Sequence, residues 1–180
     1  VELCTLHFQY GWHEERNVAN ALFADGAAAL VGVGRDAAQG TWRATASGSC
    51  LIPGSRQDMT WHVRDHGFEM TLSRRVPELI RGHLRPWLEQ WLAREELGLE
   101  DIRSWAVHPG GPSILKAVTS ALDLTRNDLR TAWDTLRTFG NMSSPTVLFI
   151  LDALRREHAR TPCVALGFGP GLVAEATLMR

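Results

Sequence analysis

The amino-acid sequence predicts a layered α/β fold with a mixed β-sheet, and three observations support this prediction. Predicted strands and helices alternate through the centre of the 180-residue chain. The segment Val76–Leu97 carries apolar residues at three- and four-residue steps, which predicts a long amphipathic helix. Near the end of the chain, Gly169-Pro170-Gly171 separates two short apolar runs that we expect to pair as antiparallel strands.

The residues before the long helix are predicted to be mainly β-structure. A short helix is expected near Ala19–Phe23, and Pro53-Gly54-Ser55 is expected to form a turn. Gly34–Gly40 is interpreted as a linker between two halves of the chain. Four segments have the length and apolar character of strands, and the second of them is expected to be buried: Val1–Phe8, Ala27–Val33, Thr41–Ile52 and Met59–Val63.

The residues after the long helix alternate between short strands and helices. Thr125 and Asp128 have the spacing of a capping box, so a helix is expected to begin at Leu124 and to stop at Gly140. Pro145 suits the first turn of another helix, which is expected to continue to His158. The other predicted elements are a helix, Ser113–Leu122, and the strands Ser104–Val107, Cys163–Phe168 and Leu172–Met179.

The composition argues against several classes of protein. The formal net charge is -1 and no run of Lys or Arg stands out, so a nucleic-acid-binding surface is not expected. The longest apolar runs, such as Val147–Leu151, are too short to span a bilayer, and no secretory signal is visible. Three cysteines without paired spacing indicate a reducing, cytoplasmic compartment, and no C-x-x-C or H-E-x-x-H pattern suggests a zinc site. Because Val1 falls inside a predicted strand, we interpret the chain as a fragment or a processed chain.

Three glycine-rich junctions are the candidate positions for chemistry: His108–Pro112, Gly140–Pro145 and Gly167–Gly171. Polar side chains at such junctions project into the crevice where α/β proteins bind ligands. Each junction also has a purely structural interpretation. His108 could be a capped or exposed residue, Asn141 could be a turn or N-cap residue, and the Gly-Pro-Gly segment could be a tight turn.

Taken together, the junctions resemble one protein family. The segments Trp105–Pro112, Gly140–Ser144 and Gly167–Leu172 are similar, in order and approximate separation, to the C-terminal half of chalcone synthases and bacterial type III polyketide synthases. Ala21–Ala29 resembles the family's segment just before its midpoint, and Val1–Gln9 resembles the bacterial version of the strand beyond the nucleophile. The resemblance therefore extends over essentially the whole chain.

This resemblance implies a thiolase fold, in which two similar halves pack as five layers, αβαβα. Residues 1–36 would then finish the N-terminal half, and residues 40–180 would form the C-terminal half. The family's enzymes are homodimers that condense malonyl-coenzyme A extenders onto acyl-coenzyme A starters with loss of carbon dioxide. The resemblance implies no metal and no cofactor beyond these thioester substrates.

The resemblance also implies roles for individual residues. The family's catalytic trio is Cys, His and Asn, of which His108 matches the His and Asn141 matches the Asn. The nucleophilic Cys belongs to a segment before Val1, so an N-terminal half would supply it and this chain alone is expected to be inactive. The residues that match the loop approaching coenzyme A are Gly110, Gly111 and Ser113. The residues that match positions of the substrate cavity are Cys4, His7, Phe23, Trp61, Met70 and Ser143.

The residues in the cavity segments indicate which class of polyketide product to expect. Trp61 stands where plant enzymes have Gly and Met70 where they have Phe, which argues against a chalcone product. The segments beginning at Cys4 and Phe23 look more like those of bacterial alkylpyrone, alkylresorcinol or tetrahydroxynaphthalene synthases, and we expect long acyl starters. Two alternatives stay open. One is a ketoacyl-acyl carrier protein synthase, although that family typically follows its His with Gln-Ala-Asn. The other is a truncated, non-catalytic polypeptide that acts as a structural or dimerisation partner.

Overall fold

The fold is described from a computed structural model that covers residues 1–8, 10–12, 14–34, 42–65 and 67–180. The α-helices of these residues are α1 (Glu14–Leu22), α2 (Val76–Ala93), α3 (Pro112–Leu122), α4 (Arg130–Phe139) and α5 (Pro145–Arg156). Short 3₁₀ helices cover Cys4–His7 and Leu99–Asp101. The strands are β1 (Ala44–Leu51), β2 (Met59–Arg64), β3 (Gly67–Leu72), β4 (Ser104–Val107), β5 (Cys163–Gly169) and β6 (Val173–Met179).

The main sheet contains four strands in the order β1-β6-β5-β4. β4 runs parallel to β5, with Ser104 opposite Cys163, whereas β6 is antiparallel to both β5 and β1. Pro170 and Gly171 lie in the turn between β5 and β6, and Gly169 pairs with Val173. The predicted mixed sheet and the antiparallel pairing of the last two strands are therefore confirmed.

Helix α2 contributes a continuous apolar stripe to the hydrophobic core. Its buried residues recur at four-residue steps and are at most 1% exposed: Val76, Ile80, Leu84, Leu88 and Leu92. At about 25 cal/mol per Å² of buried apolar surface, such a stripe outweighs the backbone hydrogen bond that a proline inside the helix removes. The helix accordingly continues through Pro86.

Helix α2 ends at Ala93, earlier than the predicted end at Leu97. Glu96 adopts a left-handed backbone conformation with φ of 58°, which stops the helix. The Leu97 N–H then donates to the Leu92 carbonyl, as in a Schellman-type termination.

Gly48 of β1 allows α2 to approach the sheet closely. A Cβ atom built at Gly48 would lie 2.7 Å from Nε1 of Trp91, whose side chain is in the core. We expect Gly48→Val to lower the free energy of unfolding by about 2 kcal/mol, because Trp91 or the strand must move to admit the side chain. Urea denaturation of the two proteins measures this difference. Ala44→Val, at an exposed position of the same strand, is the matched control, and an equal loss in both variants would contradict the packing argument.

Helix α5 lies on the opposite face of the sheet and leaves part of that face open. Side chains alternate across a strand, so Ser47 points away from the face on which Gly48 meets α2. Ser47 lines a cavity together with Ala165 of β5 and Val147 of α5. This open face forms the floor of the candidate site described below.

The predicted strand Val1–Phe8 is wrong. Asp25 accepts hydrogen bonds from the backbone N–H and the hydroxyl of Thr5, at 2.8 and 2.7 Å, and these bonds accompany a 3₁₀ turn at Cys4–His7. Only Glu2 keeps β-type pairing, through an isolated antiparallel bridge to Gly26. The short helix predicted near Ala19–Phe23 is present as the end of α1, which begins earlier.

The predicted buried strand Ala27–Val33 is also wrong. These residues have no regular secondary structure, and Leu30, Val31 and Val33 are 62–88% exposed. A strand needs a neighbour for its backbone groups, and no strand within the described ranges pairs with this segment. Of the predicted linker Gly34–Gly40, residues 35–40 lie outside the described residues.

Two elements differ from the prediction in the middle of the chain. β3 was not predicted, because Gly67 and Glu69 interrupt its apolar pattern; it pairs with β2 as a separate two-stranded sheet. Thr125 and Asp128 do exchange capping-box hydrogen bonds, but these close a turn, and α4 begins only at Arg130. No helix in the described part of the chain is long and apolar enough to cross a membrane.

Candidate active site

A crevice of about 480 Å³ opens over the free face of the main sheet. The β2–β3 hairpin, the start of α5 and the loop after β4 form its walls. Among its lining residues are seven of the candidate site residues that the sequence singled out: Phe23, Trp61, Met70, His108, Gly110, Asn141 and Ser143. The crevice therefore brings together residues from five separate parts of the chain.

The sheet itself holds His108 in place. The His108 N–H donates to the Leu166 carbonyl at 2.7 Å, which extends the parallel pairing of β4 with β5 by one residue. The carbonyl of His108 then accepts from the Gly110 N–H at 3.1 Å, so the chain turns sharply just after the histidine. Burial lowers the pKa of the His108 imidazole from 6.5 to about 4. At neutral pH the imidazole of this chain is therefore uncharged.

Asn141 is 3% exposed and is fixed on both its backbone and its side chain. Its backbone forms a short parallel bridge with Phe23, because its N–H donates to the Leu22 carbonyl at 2.7 Å and its carbonyl accepts from the Ala24 N–H at 2.9 Å. The side-chain Oδ1 accepts from the Ser143 N–H at 2.9 Å. The acceptor end of the amide is thus occupied, and the amide NH₂ faces the loop after His108.

Gly140 makes this position of Asn141 possible. Its φ of 76° lies in the region that favours glycine, and a Cβ atom there would lie only 3.0 Å from the Leu22 carbonyl oxygen. The same carbonyl oxygen receives the Asn141 N–H. Glycine is therefore needed at position 140, because the end of α1 lies close to the start of the loop that carries Asn141.

The two polar side chains share one chemical capability. Asn141 Nδ2 donates to the Gly110 carbonyl at 3.4 Å, the long end of the hydrogen-bonding range, and an amide NH₂ has a second hydrogen to donate. His108 lies at the start of that same loop and lines the same crevice. Two donors placed in one crevice can stabilise negative charge that develops on a ligand oxygen. No group of His, Cys, Asp or Glu suited to a metal ion occurs among the described residues.

Cys4 and His7 lie in a second, smaller cavity beside the crevice. It has a volume of about 60 Å³, and the two cavities share Phe23, Trp61 and Met70 as a wall. Trp61 and Met70 are directly opposite each other in the β2–β3 hairpin. The structure therefore places the predicted cavity residues next to one another but divides them between two chambers.

Aromatic contacts hold this wall together. The Trp61 ring lies 6.1 Å, centroid to centroid, from the rings of Phe23, His7 and Phe68. The Phe68 N–H donates to Nδ1 of His7 at 3.2 Å, which ties the 3₁₀ turn to the hairpin. The bulk of Trp61 thus separates the His7 chamber from the main crevice.

Two residues assigned to the coenzyme A loop lie outside both chambers. Gly111 is buried, and a Cβ atom there would lie 3.3 Å from Leu22. Ser113 is exposed on the first turn of α3. Of that set, only Gly110 lines the crevice.

The sequence analysis did not identify the floor of the crevice or one hydrogen bond at its rim. The floor is formed by small and polar side chains of three strands: Ser47, Ala165, Glu175 and Thr177. Gly167, from the third glycine-rich junction that the sequence indicated, also lines the crevice. The alternation of small polar with apolar residues in β1 could have indicated it. At the rim, the Ser144 hydroxyl donates to the Glu2 carboxylate at 2.7 Å. Those two residues are far apart in sequence, and no local pattern signals their contact.

Comparison with known proteins places this site in a family. Residues 44–180 match the family described as chalcone and stilbene synthases, C-terminal domain. A 1,3,6,8-tetrahydroxynaphthalene synthase of Streptomyces peucetius subsp. caesius is 38% identical over 186 residues, which cover 100% of this chain and 49% of that protein.

Solved structures give the same result for the fold. The chain resembles PKS-I of the brown alga Ectocarpus siliculosus with a TM-score of 0.90 and 26% identity, over 99% of this chain and 50% of that one. It resembles the C-terminal type III polyketide synthase domain of Steely1 from Dictyostelium with a TM-score of 0.83, 23% identity, and coverage of 98% and 51%. The latter similarity is one of fold. Both support the predicted thiolase-like α/β fold.

The chain thus spans about half the length of the relatives that it matches. The match to the C-terminal domain covers the junctions that carry His108 and Asn141. On these grounds the chain belongs to the chalcone and stilbene synthase family of type III polyketide synthases, and it corresponds to the C-terminal half of those proteins.

Proposed function

We propose that the chain supplies the His and Asn of a type III polyketide synthase active site. The reaction is the decarboxylative Claisen condensation of malonyl-coenzyme A onto an acyl-coenzyme A starter. The observation that carries the proposal is that His108 and Asn141 line one crevice, with the acceptor end of the Asn141 amide already occupied. The nucleophilic Cys belongs to an N-terminal half outside this chain, and the complete enzyme works as a cytoplasmic homodimer. In this proposal residues 1–36 finish the N-terminal half and residues 40–180 form the C-terminal half.

Starter loading needs a thiolate near the imidazole. The Cys sulfur attacks the carbonyl carbon of the starter thioester, the new carbon–sulfur bond forms, and the bond to coenzyme A breaks. His108 in its protonated form pairs with the thiolate before the attack and gives its proton to the departing coenzyme A sulfur. Gly110, Gly111 and Ser113 belong to the loop along which the coenzyme A arm approaches.

Extension then depends on the two donors. Malonyl-coenzyme A loses carbon dioxide, and the electron pair of the broken carbon–carbon bond forms a thioester enolate. His108 and Asn141 donate to the enolate oxygen, and each donor stabilises the transition state by about 3 kcal/mol. The enolate carbon attacks the Cys-bound acyl group, a carbon–carbon bond forms, and the Cys thiolate leaves.

The experiment joins the chain to a Cys-bearing N-terminal half of a relative. Carbon dioxide release from labelled malonyl-coenzyme A and acylation by labelled acyl-coenzyme A are measured on the same preparation. Both reactions are expected in the joined protein and neither in the chain alone. A joined, folded protein that catalyses neither step would favour the alternative of a non-catalytic structural partner. Activity only with acyl carrier protein thioesters would favour the ketoacyl synthase alternative.

The pKa of His108 gives a prediction for the chain alone. Because the folded pKa of about 4 lies below the unfolded value of 6.5, the unfolded chain binds more protons between these values. The contribution of His108 to stability is therefore full above about pH 6.5 and is lost as the pH falls toward 4. Between pH 7.5 and pH 5, the free energy of unfolding is expected to fall less in His108→Gln than in the parent chain. Urea denaturation at the two pH values measures this difference. An unchanged pH dependence, matching that of the exposed-site variant His62→Gln, would contradict the burial argument.

The product class has two candidates. The sequence favours alkylpyrones or alkylresorcinols made from long acyl starters, with Cys4, His7, Phe23, Trp61, Met70 and Ser143 shaping the cavity. A naphthalene-type product from a short starter is the second candidate, and two observations favour it. One is the 38% identity to a tetrahydroxynaphthalene synthase. The other is the position of Trp61, which closes the crevice on the side of the His7 chamber.

Removing the Trp61 side chain tests the choice between these candidates. Trp61→Gly joins the two chambers, so the joined enzyme is expected to gain at least about tenfold in kcat/KM for a long acyl starter relative to a short one. The starter series from acetyl- to palmitoyl-coenzyme A measures the effect. Val63→Ala, on the same strand but outside both cavities, is the control. A parent enzyme that already prefers long starters, with no change in Trp61→Gly, would show that the wall does not limit starter length.

A further inference from the structure

A third cavity lies outside the crevice, between α1, the start of α3 and α4. Its volume is about 320 Å³, and it shares no lining residue with the crevice. Pro112 and Gly140 form part of its wall, so the loops that carry Gly110 and Asn141 separate the two cavities. Its charged and aromatic lining residues are Arg126, Trp133, Asp134 and Arg137.

Arg126 is the unusual member of this group. The carbon at the centre of its guanidinium lies 4.5 Å from the centroid of the Trp133 ring. A cation–π contact of this kind restrains a guanidinium and leaves its N–H groups available for hydrogen bonds. Within the described residues, Arg126 forms no salt bridge with a carboxylate. The guanidinium of Arg126 is therefore held in place by Trp133, and its N–H groups are available to bind a ligand.

The rest of the cavity does not neutralise this charge. Among the residues whose side chains the structure describes, Asp134 is the one acidic residue that lines the cavity, and it already pairs with Arg137 at 3.4 Å and with Arg130 at 3.6 Å. The indole Nε1 of Trp133 is buried and has no hydrogen-bond acceptor in the part of the chain that the structure covers. Helix α3 begins at Pro112 without a side-chain cap, so its partial positive charge also faces this region. The walls offer hydrogen-bond donors and positive charge in excess of acceptors.

We propose that this cavity is a binding site for a phosphate monoester, held by Arg126 and Arg137. Guanidinium groups bind phosphate through paired, charge-assisted hydrogen bonds, and a pre-positioned guanidinium loses little freedom in forming them. The 3′-phosphate of coenzyme A and a free phosphate monoester share this chemistry. The first source rests on the proposed function, because coenzyme A thioesters are its substrates.

The binding test uses the indole N–H resonance of Trp133, assigned with Trp133→Phe, in chain labelled with ¹⁵N-tryptophan. Adenosine 3′,5′-bisphosphate, inorganic phosphate and pantetheine are titrated separately. The phosphate compounds are expected to shift the resonance saturably and pantetheine is not. Arg126→Gln is expected to raise the dissociation constant by about tenfold, the effect of losing one charge-assisted pair. Arg94→Gln, an exposed arginine that lines none of the three cavities, is expected to leave it unchanged.

The source of the phosphate follows from the same titrations and from kinetics. Two results together would assign the site to the 3′-phosphate of coenzyme A. The bisphosphate would bind more tightly than inorganic phosphate, and Arg126→Gln would raise the KM for malonyl-coenzyme A but not for malonyl-pantetheine. Equal binding of both compounds and unchanged KM values assign it to a free phosphate. No saturable shift, or equal weakening in Arg126→Gln and Arg94→Gln, overturns the proposal. A joined enzyme without activity would refute the proposed function and would leave the titration result to stand by itself.

Discussion

Replacing Asn141 with alanine is expected to slow the decarboxylation of malonyl-coenzyme A by about 10²–10³-fold in the joined enzyme, the range for one lost oxyanion donor. The substitution removes Nδ2, which lies in the crevice with one hydrogen bond at 3.4 Å. Starter loading is expected to survive, because the thiolate and His108 stay in place. Single-turnover acylation by a labelled acyl-coenzyme A, run beside carbon dioxide release, separates the two steps.

Asn141→Asp distinguishes a lost donor from a disturbed loop. The aspartate keeps an oxygen that can accept from the Ser143 N–H, as Oδ1 does now, but it lacks the NH₂ group. Decarboxylation is expected to stay slow in this variant, whereas a loop defect would be repaired. Asn127→Ala, at an exposed turn, is the control for substitution as such. Equal loss of loading and decarboxylation in Asn141→Ala would show that Asn141 positions the nucleophile instead.

Replacing His108 with alanine is expected to impair both steps, each by at least about 10²-fold, because it removes the imidazolium partner of the thiolate and one enolate donor. His108→Gln restores a donor N–H without a titratable ring. Decarboxylation is therefore expected to recover in part in His108→Gln, while loading stays slow. The paired assay described for Asn141 measures both.

The two variants together test the assignment of the pair. Unchanged decarboxylation in both Asn141→Ala and His108→Ala would falsify it. Restoration of loading by His108→Gln would show that the imidazole acts through its shape or hydrogen bonding and not through its charge.

The pKa of His108 sets a condition on this mechanism. Burial alone lowers it to about 4, so the chain by itself cannot present an imidazolium at neutral pH. An anionic thiolate nearby favours the charged ring and would raise that pKa. We therefore expect the imidazolium of His108 to form only in the joined enzyme, where the N-terminal half supplies the thiolate.

Local patterns were enough to predict most of the sheet and the junctions that carry His108 and Asn141, whereas the catalytic roles proposed for these two residues come from the resemblance to a family. β4 and the loop after it are contiguous, so the strand, its end and His108 could be found together in the sequence. The Gly140–Asn141 turn depends on a backbone conformation that favours glycine, and the glycine can be recognised directly in the sequence. The apolar stripe of α2 follows from the period of an α-helix.

The errors arose where distant contacts decide the structure. The turn at Cys4–His7 is accompanied by hydrogen bonds from Thr5 to Asp25, twenty residues away, and no alternation of apolar residues reveals it. Ala27–Val33 has the composition of a buried strand, yet burial depends on a neighbour that the described residues do not provide. The division of the cavity by Trp61 depends on the packing of rings from three separate segments.

A crystal structure of the joined enzyme with a non-hydrolysable malonyl-coenzyme A analogue would show directly whether His108 and Asn141 both donate to the enolate oxygen. We expect the thioester oxygen to lie about 3 Å from both a ring nitrogen of His108 and Nδ2 of Asn141, the distance of a catalytic hydrogen bond. We also expect the Asn141 Oδ1 still to accept from the Ser143 N–H, as it does now at 2.9 Å. A thioester oxygen that contacts neither side chain, or only one of them, would contradict the assignment of His108 and Asn141 as joint donors to the enolate.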